Sequence, residues 1–321
     1  VAATLKASGP AILAQEDMLT QCVTVIGTII TRSHPCQQDL GDDDEEQEVE
    51  GTSEYDWLVI DTALDVVIGL AAALGPSFGE LWKVFEKPIL KFASSNENIE
   101  RSTGVGVIAE CTANMGAAVT PYTSKLLTNL LKRLSDTDME TKSNAAYAVG
   151  QLINSSTDHA TYLPQYDTIL SKLEIMLRLQ GARIKDNAAG CLSRMIMKHP
   201  ERVPIPHVLP ALVDLLPLED DYEENAPVYE CIYKLCMYPQ RMPPCAYARA
   251  NIFYADDSQD PTVQQLTPKL IPIFEKILSP PEEQLADETR QLVKQAVRVL
   301  YQGQPNLFQG HEGVVRLAGA A

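Results

Sequence analysis

The sequence predicts an all-α fold, a right-handed α-α superhelix of HEAT repeats, and three observations carry that prediction. A polar column returns at near-constant spacing, amphipathic stretches alternate with stretches rich in small residues, and the hydrophobic content is almost wholly aliphatic. Of the 321 residues 45% are hydrophobic but only 6% aromatic, a composition that suits packed helices better than a β-sandwich. A chain of this length would ordinarily divide into two globular domains. A repeat array escapes that limit because each unit packs only on its neighbours, so residues 1 to 321 are expected to form a single array.

The column consists of Asp61-Thr62-Ala63, Ser102-Thr103-Gly104, Ser143-Asn144-Ala145, Asp186-Asn187-Ala188 and Glu224-Asn225-Ala226, each a polar pair followed by a small residue. Steps between the middle residues are 41, 41, 43 and 38, the range of two-helix HEAT repeats. Each triplet opens or lies early in an apolar stretch such as NAAYAVGQLI from Asn144 or NAAGCLSRMI from Asn187. The small side chains there let neighbouring helices approach closely, and these stretches are taken as B helices. Between them the A helices repeat apolar residues at three and four: Leu127, Leu130, Leu131 and Leu134, then Leu209, Leu212, Val213 and Leu216, then Leu270, Ile273, Phe274 and Ile277. That spacing makes one buried face. Pro121, Pro164, Pro206 and Pro268 are placed before or early in the A helices, where a missing N–H does little harm. Short polar links such as Ser135 to Asp138 join A to B.

Three stretches break the rhythm. Residues 41–53, with seven acids among the nine residues Asp42 to Glu50, have no apolar face and are read as a solvated insertion between the first A helix and its B helix. Residues 241–264, with Pro243-Pro244 and Asp256-Asp257, are read as a second insertion, and the Gly- and Ala-rich residues 305–321 as a loose tail.

Charge narrows the partners. Lys and Arg total 26 against 43 Asp and Glu, a formal charge of −17, which argues against nucleic acid, since phosphate binding needs clustered cations. A basic protein or peptide is the complementary partner. The most apolar run, Trp57 to Leu74, is interrupted by Asp61 and Asp65 one helical turn apart, which a membrane span rarely tolerates. The seven cysteines (Cys22, Cys36, Cys111, Cys191, Cys231, Cys236, Cys245) include no CxxC pair and read as reduced thiols. The five histidines lie apart from them, so no zinc spacing forms and no metal or other cofactor is expected. No Gly-rich phosphate loop, GxSxG elbow or HExxH is present, and the chain is read as non-enzymatic. The opening VAATLKASGP is read as a piece of something longer.

Helix N-caps are expected at Asn98, Asp138, about Gly181 and about Glu219, which places Thr103, Asn144, Asn187 and Asn225 one to two turns inside their helices. Asn is disfavoured there relative to Ala. Either a ladder of amide hydrogen bonds stitches adjacent repeats together, or the amides grip the backbone of an extended ligand. In the second case Glu100, Asp186, Asp220, Asp221, Glu223 and Glu224 would receive lysine or arginine side chains, and Tyr222 would pack on their aliphatic stems. For Tyr147 and Tyr229 core packing is the expected role. The candidate peptide-binding residues are therefore Glu100, Asn144, Asp186, Asn187, Asp220, Asp221, Tyr222, Glu223, Glu224 and Asn225.

The segments MLTQCVTVIGTII, NAAYAVGQLI and DNAAGCLSRMI, with the A/B alternation and the acidic insertion, resemble the C-terminal half of karyopherin-β nuclear import receptors, on the branch of importin four and its fungal equivalent. The likeness runs over about residues 1 to 300. It implies a carrier that shuttles between cytoplasm and nucleus, contacts nucleoporin Phe-Gly repeats, and releases cargo when Ran-GTP engages N-terminal repeats outside this sequence. It also implies histone H3 and H4 tails or ribosomal proteins as lysine-rich cargo, held on an inner surface lined by B helices. Thr62 and Thr103 depart from the amide of the column, so the carry-over weakens there. A general HEAT scaffold that organises an enzyme complex through its ridge loops is the alternative reading.

Overall fold

A computed structural model describes residues 1–14, 16–37, 54–237, 261–279 and 285–320. The expected insertion at 41–53 and all but 261–264 of the expected insertion at 241–264 lie outside the described residues. Among the described residues every regular element is a helix. They divide into two compact units, Val1–Leu163 and Pro164–Ala321.

The first unit contains α1 (Ala2–Ser8), α2 (Glu16–Ile30), α3 (Glu54–Leu74), α4 (Phe78–Phe92), α5 (Asn98–Met115), α6 (Thr123–Arg133), α7 (Met139–Ser155) and α8 (His159–Tyr162). Three A/B pairs result: α2 with α3, α4 with α5, and α6 with α7. B helices pack on B helices, α3 on α5 and α5 on α7. The apolar run expected to end at Leu74 does so because Gly75 adopts φ +55° and a 3-10 turn, Gly75–Ser77, reverses the chain into α4. Ile60, Leu64, Val67, Leu70 and Ala71 of α3 are buried.

The third member of the column is small because the helices meet there. A Cβ on Gly104 would lie 2.5 Å from the backbone nitrogen of Ala93 at the end of α4, and Ala63 and Ala145 are buried at the equivalent points. Asp138 starts α7 as expected, its carboxylate accepting the Thr141 N–H at 2.8 Å. α5 is capped one residue earlier than expected: Glu97 holds the N-cap position, without a side-chain cap bond, and Asn98 is the first helical residue.

The second unit contains α9 (Tyr166–Leu177), α10 (Ala182–Lys198), α11 (Ile205–Val213), α12 (Asn225–Cys236), α13 (Pro261–Leu278), α14 (Asp287–Gly303) and α15 (Glu312–Ala318). α9 pairs with α10 and α13 with α14, α11 packs on α13, and again B packs on B, α10 on α12 and α12 on α14. Three expectations change here. α13 opens at Pro261, so residues 261–264 belong to a helix and Pro268 lies in its interior, with Pro272 one turn on. Each interior proline removes a ladder bond, a loss offset by burial of Leu266, Leu270, Ile271, Phe274 and Ile277 along one face. α12 does not start near Glu219. Asn225 is its first residue, entered through a 3-10 turn at Tyr222–Glu224. Residues 305–320 form a 3-10 turn, Pro305–Phe308, and α15, with Phe308, Val314, Val315 and Ala318 buried, where the composition suggests a loose tail.

Candidate peptide-binding site

In the first unit the column acts as a series of ties between successive B helices. Thr103 of α5 hydrogen-bonds the Asp61 carboxylate of α3, whose pKa burial and the neighbouring Asp65 charge raise and this bond lowers. Asn144 of α7 donates its amide N–H to the Ser102 carbonyl of α5 at 3.1 Å. The ladder alternative is therefore realised at Asn144. Glu100 is buried and committed: it accepts Arg32 at 2.5 Å and the Ser95 hydroxyl at 2.7 Å.

Beside it sits a charge node that the column does not announce. Arg101, buried in the first turn of α5, forks onto Asp136 (Nε to Oδ2 3.0 Å, Nη2 to Oδ1 2.9 Å). It also donates to the Ser95 and Asn96 carbonyls and to Asn98. Arg133 adds a third bond to Asp136 at 2.8 Å. Burial alone would raise the Asp136 pKa, but the Arg101 bonds, the Asp138 N–H and the two guanidinium charges hold it below the usual aspartate value.

In the second unit the column again ties neighbours, here through charge. Asp186 of α10 projects its Oδ2 into the loop before α12 and accepts three consecutive N–H groups, from Glu219 at 3.2 Å, Asp220 at 2.8 Å and Asp221 at 2.9 Å. Burial pushes the Asp186 carboxyl up and the three N–H bonds pull it back, with Asp221 opposing them. Deeper still, Arg194 of α10 grips Glu224 in a two-pronged pair at 2.6 and 2.9 Å. The carboxylate side chain is 1% exposed and the guanidinium 8%. Desolvation raises the Glu224 pKa, and Arg194 opposes that rise. Gly190 makes the seat possible: a Cβ there would fall 1.2 Å from Glu224 Oε2.

The ten candidate residues thus separate by what they touch. Asn187 and Asn225 are buried, and Asp186, Glu224, Glu100 and Asn144 are engaged within the fold. Glu219, Asp220, Tyr222 and Glu223 are exposed and Asp221 is half-buried. The Tyr222 hydroxyl donates to the Glu219 carbonyl at 3.0 Å, which holds the ring, 41% exposed, beside these acids. The result is an acidic loop bent around the Asp186 carboxylate, with its side chains outward and an aromatic face among them. Tyr229 is buried in the core as expected, and Tyr147 is half-buried.

Arg101, Arg194 and Gly190 were not among the sequence candidates. Their signal was available: a lone arginine inside an apolar helical run requires a buried partner, and a glycine inside a helix marks a close approach. Among the described residues Cys111, Cys191, Cys231 and Cys236 are buried, Cys22 is half-buried and Cys36 exposed; Cys245 lies outside them. Burial pushes the thiols of Cys191, Cys231 and Cys236 up to about 12, so they stay protonated at neutral pH. Among the described residues no group of His, Cys, Asp and Glu has metal-binding geometry.

No family model matches the chain. Among curated proteins it is similar to the probable importin subunit beta-4 of Schizosaccharomyces pombe, 36% identical over 275 residues, covering 83% of this chain and 24% of that protein. It is also similar to human importin-4, 32% identical over 224 residues, covering 68% of this chain and 20% of that protein. The chain therefore spans about a quarter of the length of the first and a fifth of the second. Among solved structures it is similar to a designed armadillo repeat protein at a TM-score of 0.49 and 16% identity, over 86% of this chain and 99% of that one.

Proposed function

The chain belongs to the importin-4 branch of the karyopherin-β family, and on that premise we propose that it is the part of a nuclear import receptor that holds lysine-rich cargo segments on the acidic loop Glu219 to Glu223. The observation that carries the reading is the way Asp186 gathers three backbone N–H groups, which turns the side chains of Asp220, Asp221 and Glu223 outward around an exposed tyrosine ring.

A lysine ammonium is a compact, strongly hydrated charge with three donors. Exposed carboxylates receive it without stripping its water completely, at about 0.2–1 kcal/mol per pair. Several pairs are needed for useful affinity, and a cargo segment with several lysines in extended backbone supplies them. The Tyr222 face offers a surface for one aliphatic stem. Asp186 and Glu224 enter as positioning residues: the first shapes the loop, and the second fixes the start of α12. Histone tails and basic ribosomal-protein segments have the required chemistry. On this reading the receptor shuttles between cytoplasm and nucleus, does no covalent chemistry, and has Phe-Gly repeats and Ran-GTP as further partners of the whole protein.

The test is a fluorescence titration of a lysine-rich histone H3 tail against the chain and against a triple variant, Asp220→Asn, Asp221→Asn and Glu223→Gln. A loss of roughly three- to 150-fold in affinity is expected from three surface pairs. Equal affinity for both proteins sinks the site.

A further inference from the structure

The first unit carries a feature opposite in sign to the rest of the molecule. A pocket of about 650 Å³ opens between the C-terminal ends of α2 and α4 and the first turn of α5, within the size range of ligand-binding clefts. Its walls bring together Arg32, Lys87 and Lys91 with Phe92, Ser95 and Glu100. Three cations face one carboxylate in a chain whose formal charge is −17. Glu100 is ion-paired with Arg32 and also accepts the Ser95 hydroxyl, so Lys87 and Lys91 supply the net positive charge of the pocket.

The two lysines stand one helical turn apart on α4, both exposed. The other described basic residues near them are matched differently: Lys83 pairs with Glu80 at 2.5 Å and Lys125 with Glu86 at 2.7 Å. Arg32 is held with unusual firmness. It occupies the left-handed position that ends α2, at φ 56°, where glycine is the usual residue. The turn is closed by Arg32 N–H to Ile29 carbonyl and Ser33 N–H to Thr28 carbonyl, both at 2.9 Å. That backbone lays the guanidinium 5.9 Å over the Phe92 ring while it grips Glu100. The N-terminus of the 18-residue helix α5 has no side-chain cap, and Asn96 and Glu100 bring it to the pocket wall, so its partial positive charge adds to the cations. The carbonyl ends of α2 and α4 oppose this, and Lys91 in the last turn of α4 answers part of that opposition.

We propose that this pocket binds an acidic peptide segment of a protein partner, its carboxylates on Lys87, Lys91 and the free edge of Arg32, and its apolar atoms on Phe92 and Pro88. Carboxylate is favoured over phosphate as the ligand chemistry because Ile30, Pro88 and Phe92 give the wall an apolar part and Arg32 already directs one arm to a carboxylate. A site for an acidic segment here is separate in residues and in sign from the cargo surface proposed for the second unit.

The experiment follows fluorescein-labelled octaglutamate by anisotropy with the whole chain. Saturable binding is expected, weakened roughly two- to thirtyfold by Lys87→Ala with Lys91→Ala and unchanged by Lys83→Ala with Lys125→Ala, which alters net charge equally. All four side chains are exposed, and unfolding midpoints of both variants check that the fold is intact. No saturable binding, or equal weakening by the two pairs, overturns the proposal. Displacement by inorganic tripolyphosphate at concentrations far below those of unlabelled octaglutamate would reassign the pocket to phosphate and overturn the peptide.

Discussion

Replacing Gly190 by alanine sets two physical terms directly against each other. Helix propensity alone says the variant gains about 1 kcal/mol, because glycine inside a helix is the poorest ordinary residue after proline. The structure says otherwise. The new Cβ would stand 1.2 Å from Glu224 Oε2 and 3.0 Å from Arg194 Nη1, so the carboxylate has to leave a seat in which it is 1% exposed. Arg194 then stays buried without its partner, and breaking a buried ion pair from one side costs about 3–5 kcal/mol. The net expectation is a loss of about 2–4 kcal/mol. Urea unfolding followed by circular dichroism reads the total, and amide hydrogen exchange in α10 and α12 shows where it falls. A triple variant, Gly190→Ala with Arg194→Met and Glu224→Ala, removes both charges along with the clash and is expected to recover most of the loss. A single variant as stable as the parent, or a triple variant no better than the single one, would refute the reasoning.

Other perturbations follow from the same geometry. Asp138→Ala removes the carboxylate that accepts the Thr141 N–H and is expected to lower stability by about 0.5–2 kcal/mol, read in urea. Asn144→Ala exchanges one hydrogen bond to Ser102, worth about 0.5–1.5 kcal/mol, for better helix propensity, so its stability change stays within about 1 kcal/mol; a larger loss would mean the tie carries more than its bond. The Asp136 carboxyl is held below its ordinary value of 3.8 in the folded state. The folded state thus binds this proton less readily than the unfolded chain, and the contribution is present above 3.8 and lost as pH falls through the lower folded value. Acid unfolding of Asp136→Asn should accordingly show a shallower pH dependence below pH 4 than the parent, and parallel curves would contradict the assignment.

The helices were legible because their cause is local. The three-and-four spacing of Leu127, Leu130 and Leu134 survives translation into a buried face of α6 and its exit turn, and the small third residue of the column marks where α5 closes on α4. The register of the fifth column member was not legible. Glu224-Asn225-Ala226 matches its predecessors in letters, yet Asn225 starts α12 and Ala226 is exposed, because the 3-10 turn before it is set by Asp186, thirty-odd residues away. The same distance hides the site: Asp186 and Glu224 look like cation receptors in sequence, and their partners, loop N–H groups and Arg194, become visible only when α10 and α12 pack. Acidity alone gave the sign of the partner, while burial decides which acids remain to meet it.

The central claim is that the outward acids of the Glu219 to Glu223 loop receive lysine ammonium groups, and the direct measurement is the affinity of a histone H3 tail across a salt series, compared with the same tail fully acetylated on its lysines. Acetylation removes the charge and keeps the aliphatic stem. The unmodified tail is expected to bind with an affinity that falls steadily as salt rises, the acetylated tail far more weakly at low salt with a gap that narrows as salt rises, and Asp220→Asn, Asp221→Asn and Glu223→Gln together are expected to erase the difference. Equal binding of the two tails, or a difference that survives the triple variant, would contradict it.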